Sequence, residues 1–414
     1  MIDGIKGSRQ TPGGATPKDE KETPFIPPEK VANSEPEGIA KISAATKPSF
    51  TTSSKAKKRR SPKQWFSDLS KQKKIIVIVA ALLLVIGTGA GAFALTRSSD
   101  PVPTAVVEEE PVEEAPKATP VFSPLTGVVV SKEQSEYPVT GVMIENSPDA
   151  RPQSGLNEAG VVFEAIAEGG ITRFLALYQE ARPEYVGPVR SVRPYYLDWM
   201  LGFDAAIAHV GGSAEALNRI KSEGIKDLDQ FANSSAYNRV SNRYAPHNMY
   251  TNLATLLSVQ QQKGWAKSTF TGFPRKPEAP SAAINAKSID ITISGNLYNV
   301  HYDYDPASNS YKRVLAGKPH TDERSKAQIS PKVVVAMIVP FGRHPNGVNS
   351  QYGTIGSGKA YVFQDGVASE GTWEKASTKA QIVFKDAAGV ALPFNAGQTW
   401  ITATSIATNV NYKP

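Results

Sequence analysis

The longest uninterrupted hydrophobic stretch of the chain begins at Ile75 and ends at Leu95, and its 21 residues include no charged side chain. At about 1.5 Å per residue, a helix of this length crosses a hydrocarbon core of roughly 30 Å. A cluster of Lys and Arg at positions 55–74 precedes the stretch, whereas only Arg97 follows it before an acidic run. Because basic flanks tend to stay in the cytoplasm, the pattern predicts a single-pass cell-membrane protein with a cytoplasmic N-terminus and extracytoplasmic C-terminal domains.

The same stretch has an alternative interpretation as a cleaved signal peptide. Ala92, Phe93 and Ala94 have the small-x-small form that signal peptidase accepts. Against this interpretation, the apolar run exceeds the usual length of roughly 7 to 15 residues, and 74 residues precede it. A transmembrane helix at 75–95 is therefore the leading prediction, and cleavage after Ala94 stays open as the alternative.

The segments on either side of the helix lack apolar periodicity. Residues 1–74 are rich in Pro, Gly, Ser, Thr, Lys and Glu, a composition that buries too little surface to offset the entropy of ordering. We expect them to form a disordered cytoplasmic tail that ends in the basic juxtamembrane cluster. Residues 96–121 are rich in Pro and Glu, which favour an extended chain, and are predicted to form an extracytoplasmic stalk.

Residues 122–270 alternate between strand patterns and helix patterns, which predicts a region of mixed strands and helices. Turn and capping residues mark the limits of these elements. The predicted elements, in chain order, are a strand at 139–144, a hairpin at 161–180, a helix at 194–201, a strand at 205–210, a helix capped by Ser213 and terminated at Gly224, and a helix at 251–262.

The hairpin is predicted to turn at Gly169 and Gly170, because a two-residue primed turn needs the positive φ that glycine adopts readily. The predicted register pairs Glu168 with Ile171, Ile166 with Arg173 and Glu164 with Leu175. In this register Arg173 shares a face with both carboxylates and reaches each of them. Phe163, Ala165, Ala167, Thr172, Phe174 and Ala176 are expected to form the opposite, core-facing side. An internal ion-pair ladder and a binding site explain the charged face equally well.

Residues 285–412 show almost only strand patterns, separated by turns containing Asn, Gly, Asp and Pro. They predict a mostly antiparallel, β-rich region that packs against the preceding one, either as a lobe or as a separate small domain.

Charge is distributed unequally along the chain. Residues 1–74 carry 16 Lys and Arg and 8 Asp and Glu, a charge of +8, whereas the formal net charge of the whole chain is +7. The remainder has a net charge of −1, so no nucleic-acid partner is expected for the extracytoplasmic part. The chain contains no cysteine, which excludes disulfides, thiolate metal sites, cysteine nucleophiles and a lipid-modified cysteine anchor.

Several charged and polar side chains lie at predicted strand ends or in loops, where they can converge over a scaffold. Arg binds phosphate and carboxylate groups in a bidentate manner. The leading hypothesis is a pocket that binds an anionic cell-wall or lipid-carrier ligand, such as a phosphorylated lipid carrier, a teichoic-type polymer or a peptidoglycan stem carboxylate. The candidate ligand-binding residues are Glu145, Arg151, Glu164, Glu168, Arg173, Arg190, Ser191, Arg193, His209, Ser213, Arg243, His247 and Asn248.

Enzymatic activity is the first alternative, as an envelope glycan hydrolase or phosphotransferase, and no catalytic residue is assigned. Glu164 and Glu168 are four positions apart on one strand face, roughly 13 Å, which is wider than the usual glycosidase pair. Ser191 or Ser213 could form a triad with His209 or His247 and Asp198 or Asp229, although no GxSxG elbow is present.

The second alternative is a protein-docking module without a small ligand, in which the Arg and Glu side chains form an internal network and the β-rich region contacts an envelope protein. We expect no cofactor and no metal site, because the histidines lack the HxH or HExxH spacing of metal ligands. The five histidines are His209, His247, His301, His320 and His344.

Several motifs in order resemble the YerB-like family of bacterial envelope proteins, also called DUF3048. They are PLTG, ARPQSGL, FEAIAEGGITRFLALY, GPVRSVRPYYLDW, HVGGS, APHNMYT, DYDPASNSYKRVLAGKPHTD and GSGKAYVFQDGVASEGTW. The resemblance covers residues 122–405 and implies an α+β core with layered sheets and helices, tethered outside the cell membrane. Members are often lipoproteins, and this chain departs from them by its predicted transmembrane helix. The family has no assigned activity, so the resemblance implies location and fold but no reaction.

Overall fold

The computed structural model describes residues 119–414, which belong to one compact unit. Within this range no helix has the length and apolar character needed to cross a membrane. The predicted tail at 1–74, the predicted transmembrane helix at 75–95 and nearly all of the predicted stalk lie outside the described residues, so these remain predictions.

The described part of the chain is rich in strands and contains four short α-helices. The helices are α1 Lys132–Ser135, α2 Pro194–Leu201, α3 Ala214–Ser222 and α4 Leu253–Gln262. The strands are β1 Val121–Phe122, β2 Val129–Val130, β3 Thr140–Glu145, β4 Val161–Glu168, β5 Ile171–Tyr178, β6 Ala206–Ala208, β7 Tyr237–Arg239, β8 Met249–Thr251, β9 Arg275–Lys276, β10 Ser288–Ile291, β11 Val300–Asp305, β12 Ser310–Leu315, β13 Lys318–Pro319, β14 Val333–Ile338, β15 Phe341–Arg343, β16 Ser350–Tyr352, β17 Gly356–Gln364, β18 Val367–Lys375, β19 Val383–Asp386, β20 Phe394–Asn395, β21 Thr399–Thr404 and β22 Val410–Lys413.

A nine-stranded mixed sheet organises the fold, with the strand order β19-β18-β17-β14-β21-β4-β5-β3-β6. It takes strands from both predicted regions, because β21 pairs in parallel with β4 on one side and with β14 on the other. The β-rich second region is therefore mostly but not wholly antiparallel. A separate five-stranded antiparallel sheet has the order β13-β12-β11-β10-β22.

The two faces of the nine-stranded sheet bury different layers. On one face, Phe163 and Leu175 join a hydrophobic core with Trp199 of α2 and Ile220 of α3. On the other face, side chains such as Phe174 share a core with the five-stranded sheet and with α4. The layers are thus helices, mixed sheet and antiparallel sheet, which confirms the expected α+β class.

Local capping signals explain where the helices begin and end. Ser213 accepts a hydrogen bond from the backbone N–H of Ala216 at 3.3 Å, and Gly224 follows α3 with a φ of +62°, so the predicted helix is confirmed. The helix α4 begins at Leu253, two residues after the predicted start at Thr251. Asn252 caps its first turn, and Thr251 is the last residue of β8.

The predicted register of the hairpin is wrong beyond its turn. Glu168 does pair with Ile171, but a β-bulge between Ile166 and Glu168 shifts the remaining pairs by one residue, so that Ile166 pairs with Thr172 and Ala165 pairs with Arg173. Because successive strand residues point to opposite faces, this one-residue shift changes which residues of the two strands share a face. The expected common face of Glu164, Arg173 and Glu168 is therefore not formed.

Candidate functional site

The carboxyl ends of five strands lie at one edge of the nine-stranded sheet. The strands β14, β21, β4, β3 and β6 run in the same direction, because β3 and β4 are both antiparallel to β5 and the other neighbours pair in parallel. In open α/β sheets, ligands bind outside the carboxyl ends of the strands. Glu168 ends β4, Glu145 ends β3 and His209 follows β6, so the sequence does bring candidate residues to this edge.

Glu168 forms an ion-pair cluster with two arginines that are nearly buried. Arg173 and Arg193 each donate a hydrogen bond to a different carboxylate oxygen of Glu168. Arg173 also donates to the backbone oxygen of Ser191 at 2.8 Å, and Arg193 donates to the backbone oxygen of Val192 at 2.9 Å. The side chains of Arg173 and Arg193 are only 3% and 8% exposed. This cluster mainly ties the 190–193 segment to the hairpin.

Burial lowers the pKa of the Arg173 guanidinium from its usual value, and the positive charge of Arg193 lowers it further. Both guanidinium groups are nearly buried, and each donates to Glu168 and to a backbone carbonyl, so little of either is accessible to an external anion. Of the candidates in this cluster, Ser191 contributes its backbone carbonyl to the ion-pair arrangement.

Glu145 organises a second group at the same edge. One carboxylate oxygen accepts a hydrogen bond from the Ser147 hydroxyl at 2.9 Å, and the other lies 3.0 Å from Nδ1 of His247 and 3.3 Å from Nε of Arg190. The side chain of Arg190 is 24% exposed. Within residues 119–414, its guanidinium donates no hydrogen bond that meets normal geometry, although its Nε is buried. The guanidinium of Arg190 is therefore available to bind an anionic ligand.

Glu164 lies on the opposite face of the sheet and belongs to a different site. It is fully buried and accepts hydrogen bonds from Arg313 Nη2 at 2.8 Å and from Trp400 Nε1 at 3.0 Å. The Arg313 guanidinium also stacks 4.4 Å from the centroid of the Trp400 ring. Neither partner could be predicted from local pattern, because Arg313 and Trp400 lie 149 and 236 residues from Glu164 in sequence.

Arg151 and Arg243 shape the loops that follow β3. Arg151 donates to the Asn146 side chain at 3.0 Å and to the backbone oxygen of Leu297 at 2.7 Å, and burial lowers its pKa. Arg243 donates to the backbone oxygens of Asp149 at 2.9 Å and Pro152 at 2.7 Å. Both guanidinium groups are used by loop carbonyls.

Asn248 has a similar local role. Its side-chain oxygen accepts a hydrogen bond from Arg239 at 2.7 Å, and its amide donates to the backbone oxygen of Val240 at 3.1 Å. These contacts close the loop that places His247 beside Glu145.

His209 is fully buried, and within residues 119–414 its ring hydrogen-bonds to no arginine. Its Nδ1 lies 2.8 Å from the backbone oxygen of Gly211, and its Nε2 lies 3.1 Å from the Asp227 carboxylate. It borders a cavity of about 590 Å³ that Asp229 and Trp265 also line. Ser213 acts as the N-cap of α3. The thirteen candidates therefore do not line one pocket.

The enzymatic arrangements considered above are not assembled in residues 119–414. Glu164 and Glu168 lie in separate hydrogen-bond networks. Within this range neither Ser191 nor Ser213 hydrogen-bonds a histidine side chain. The hydroxyl beside His247 is that of Ser147, which approaches the same ring nitrogen as Glu145, whereas a serine triad needs the hydroxyl and the carboxylate on opposite ring nitrogens. The Asp198 carboxylate is bound by Arg219 and Thr354. Over the same residues, no three His, Asp or Glu side chains group as metal ligands.

Two family models cover most of the described region. Residues 125–266 match the N-terminal domain of a family described as "Protein of unknown function (DUF3048)", and residues 289–401 match the C-terminal domain of the same family. The chain belongs to the DUF3048 family.

A DUF3048 relative supports the same conclusion. A Bacillus subtilis (strain 168) protein described as "Putative lipoprotein YerB" is 32% identical over 289 residues, which cover 67% of this chain and 85% of the relative. The crystal structure of YerB from Bacillus subtilis superimposes with a TM-score of 0.65 and 29% identity, covering 71% of this chain and all of that chain. The family and the strand-rich α+β fold inferred from the sequence are thereby confirmed.

Proposed function

We propose that the protein is a membrane-tethered, extracytoplasmic cell-envelope protein that binds an anionic cell-wall or lipid-carrier ligand at the carboxyl edge of its nine-stranded sheet. The predicted transmembrane helix supports the tether, and so does the description of the YerB relative as a lipoprotein. A lipid anchor in the relative and a transmembrane helix in this chain would each hold the same folded region at the membrane surface.

The observation that carries the binding proposal is the state of Arg190. The other candidate arginines donate hydrogen bonds to Glu168 or to loop carbonyls. Within residues 119–414, the only ion pair of the Arg190 side chain is with Glu145, at 3.3 Å, and this side chain is partly exposed. A guanidinium with available N–H groups suits bidentate binding of a phosphate or carboxylate. Arg190 is therefore the proposed central contact of the ligand.

His247 is the proposed second contact. Glu145 holds its Nδ1, and its Nε2 lies 4.0 Å from the exposed Asp149 carboxylate. The ring is thereby fixed in orientation, with Nε2 toward the partly exposed side. Because Glu145 accepts from Nδ1–H, Nε2 donates a hydrogen bond only in the imidazolium form. An anion between Arg190 and His247 would meet the permanent positive charge of Arg190 and, in that form of the ring, an Nε2–H donor.

The test is thermal stabilisation of the full chain by phosphorylated lipid-carrier head groups, teichoic fragments and muropeptides. A ligand at 100 times its dissociation constant adds about 2.7 kcal/mol to the free energy of unfolding. Loss of a hydrogen bond to a charged group costs about 1.5–3 kcal/mol, so Arg190→Ala should weaken binding roughly 10- to 100-fold.

Lys312→Ala is the matched control, because it removes one positive charge from the separate five-stranded sheet. It should leave affinity unchanged. A ligand that binds wild type and Arg190→Ala equally well would contradict the assignment of Arg190.

The docking-module alternative is favoured by a specific observation. In the Glu168 and Glu164 networks the charged side chains form ion pairs with one another, as they would in a purely structural network. If no member of the panel stabilises the chain and a purified envelope protein binds it instead, the small-ligand proposal fails and this alternative replaces it.

A further inference from the structure

A cleft of about 520 Å³ lies between two hairpins at the edge where β4 ends. One wall is the turn of the β4–β5 hairpin, and the other is the β15–β16 hairpin. A β-bridge between Glu168 and Asn349 joins the two walls. The residues that decide its chemistry are Ile166, Gly169, Phe341, Gly342, Arg343 and Val348.

The lining of this cleft combines one cation with exposed apolar surface. Arg343 is exposed and forms no ion pair within residues 119–414, and no Asp or Glu lines the cleft. Phe341 and Val348 are 43% and 65% exposed. Exposed apolar patches that are rimmed by polar side chains mark interaction surfaces or ligand-binding grooves. The complementary ligand carries a negative head and an apolar chain.

The apolar part of the lining can be reduced without changing the charge. Gly342 lies between Phe341 and Arg343 on β15, and because successive strand residues point to opposite faces, a side chain there would point away from theirs. Val348 is 65% exposed, so Val348→Ser removes apolar lining with little effect on the core.

We propose that this cleft binds a single amphiphilic anion, an alkyl chain with a phosphate-type head group, with Arg343 at the head and Ile166, Phe341 and Val348 along the chain. The site is separate from Arg190, so the inference goes beyond the proposed function and does not depend on it. Neither inorganic phosphate nor a neutral alkyl compound satisfies both parts of the lining.

The experiment uses the full chain in nanodiscs of neutral lipid and a photoreactive n-octyl phosphate that carries a diazirine on its chain. Labelled peptides are identified by mass spectrometry, with empty nanodiscs as background. The expected labels fall on the peptides that contain residues 166–170 and 341–350. Excess n-octyl phosphate should remove the labelling, whereas inorganic phosphate, n-octyl glucoside and n-octylamine should leave most of it.

Four variants separate the possible explanations. Arg343→Gln should reduce labelling at least tenfold and Val348→Ser severalfold. Arg324→Gln, which neutralises an exposed arginine over the Tyr185 ring, should not reduce it. Arg190→Ala should also leave labelling unchanged, which keeps this test independent of the proposed function. Labelling elsewhere, equal competition by all alkyl compounds, or full labelling of both Arg343→Gln and Val348→Ser would overturn the proposal.

Discussion

The buried pair of Glu164 and Arg313 provides the sharpest test of the hairpin register. Both side chains are fully buried and are joined at 2.8 Å. Arg313→Met leaves the Glu164 carboxylate without its counter-charge, which typically costs about 3–5 kcal/mol. In a domain of somewhat smaller size, each kcal/mol of lost stability lowers the melting temperature by about 2–4 °C. We therefore expect the melting temperature to fall by roughly 10 °C.

Replacing both partners should cost less than the sum of the single changes. In Glu164→Leu, Arg313→Met no charge is left buried, and doubly apolar replacements of buried ion pairs are often close to neutral. The loss of the Trp400 hydrogen bond to Glu164 remains in this variant and sets a residual cost of about 1 kcal/mol. The double-mutant cycle should therefore show a coupling energy of more than about 1 kcal/mol.

The assay is urea denaturation of the full chain followed by tryptophan fluorescence, because Trp400 lies against the pair. The control is the exposed Lys359 and Glu370 pair on β17 and β18, joined at 2.8 Å, where removal of Lys359 should cost at most about 1 kcal/mol. If Arg313→Met costs no more than this control, then Glu164 does not face Arg313 and the shifted register is refuted.

Two further predictions concern single positions. Arg193→Ala should lower the free energy of unfolding by roughly 2 kcal/mol, because it removes a buried partner of Glu168. Arg190→Ala should change the free energy of unfolding by at most about 0.5 kcal/mol. Equal losses for the two variants in urea denaturation would contradict this distinction. Burial lowers the pKa of Lys375 to about 8 from a usual value of 10.5. Between these values the unfolded chain binds more protons at Lys375 than the folded chain does, so this residue makes stability rise with pH. The rise in melting temperature from pH 8 to pH 9.5 should be larger for wild type than for Lys375→Met, and parallel profiles would refute it.

The sequence predicted those features that depend on neighbouring residues. Ser213 and Gly224 delimit α3 through contacts within a few positions, and Gly169 and Gly170 specify the hairpin turn by the φ that they permit. The helix predicted at 194–201 from local pattern is also confirmed, with Pro194 as its first residue.

The features that the sequence analysis missed depend on distant pairing. The bulge beside Ala167 inserts one residue into β4 without a glycine or proline to mark it. Arg313 lies 149 residues from Glu164 in sequence, so no local pattern connects them. The parallel insertion of β21 between β14 and β4 likewise joins the two predicted regions through partners that only the folded chain brings together. For the same reason, the sequence did not show that the thirteen candidate residues lie in separate hydrogen-bond networks and not in one pocket.

The most direct test of the central claim is a hydrogen-exchange map of the full chain with and without an anionic ligand that stabilises it. We expect slower exchange in the peptides that contain Asn146 and Ser147 and in those that span residues 189–192, and we expect Arg190→Ala to abolish this protection. Protection confined to another surface, or unchanged protection in Arg190→Ala, would contradict the claim that the carboxyl edge around Arg190 is the anion-binding site.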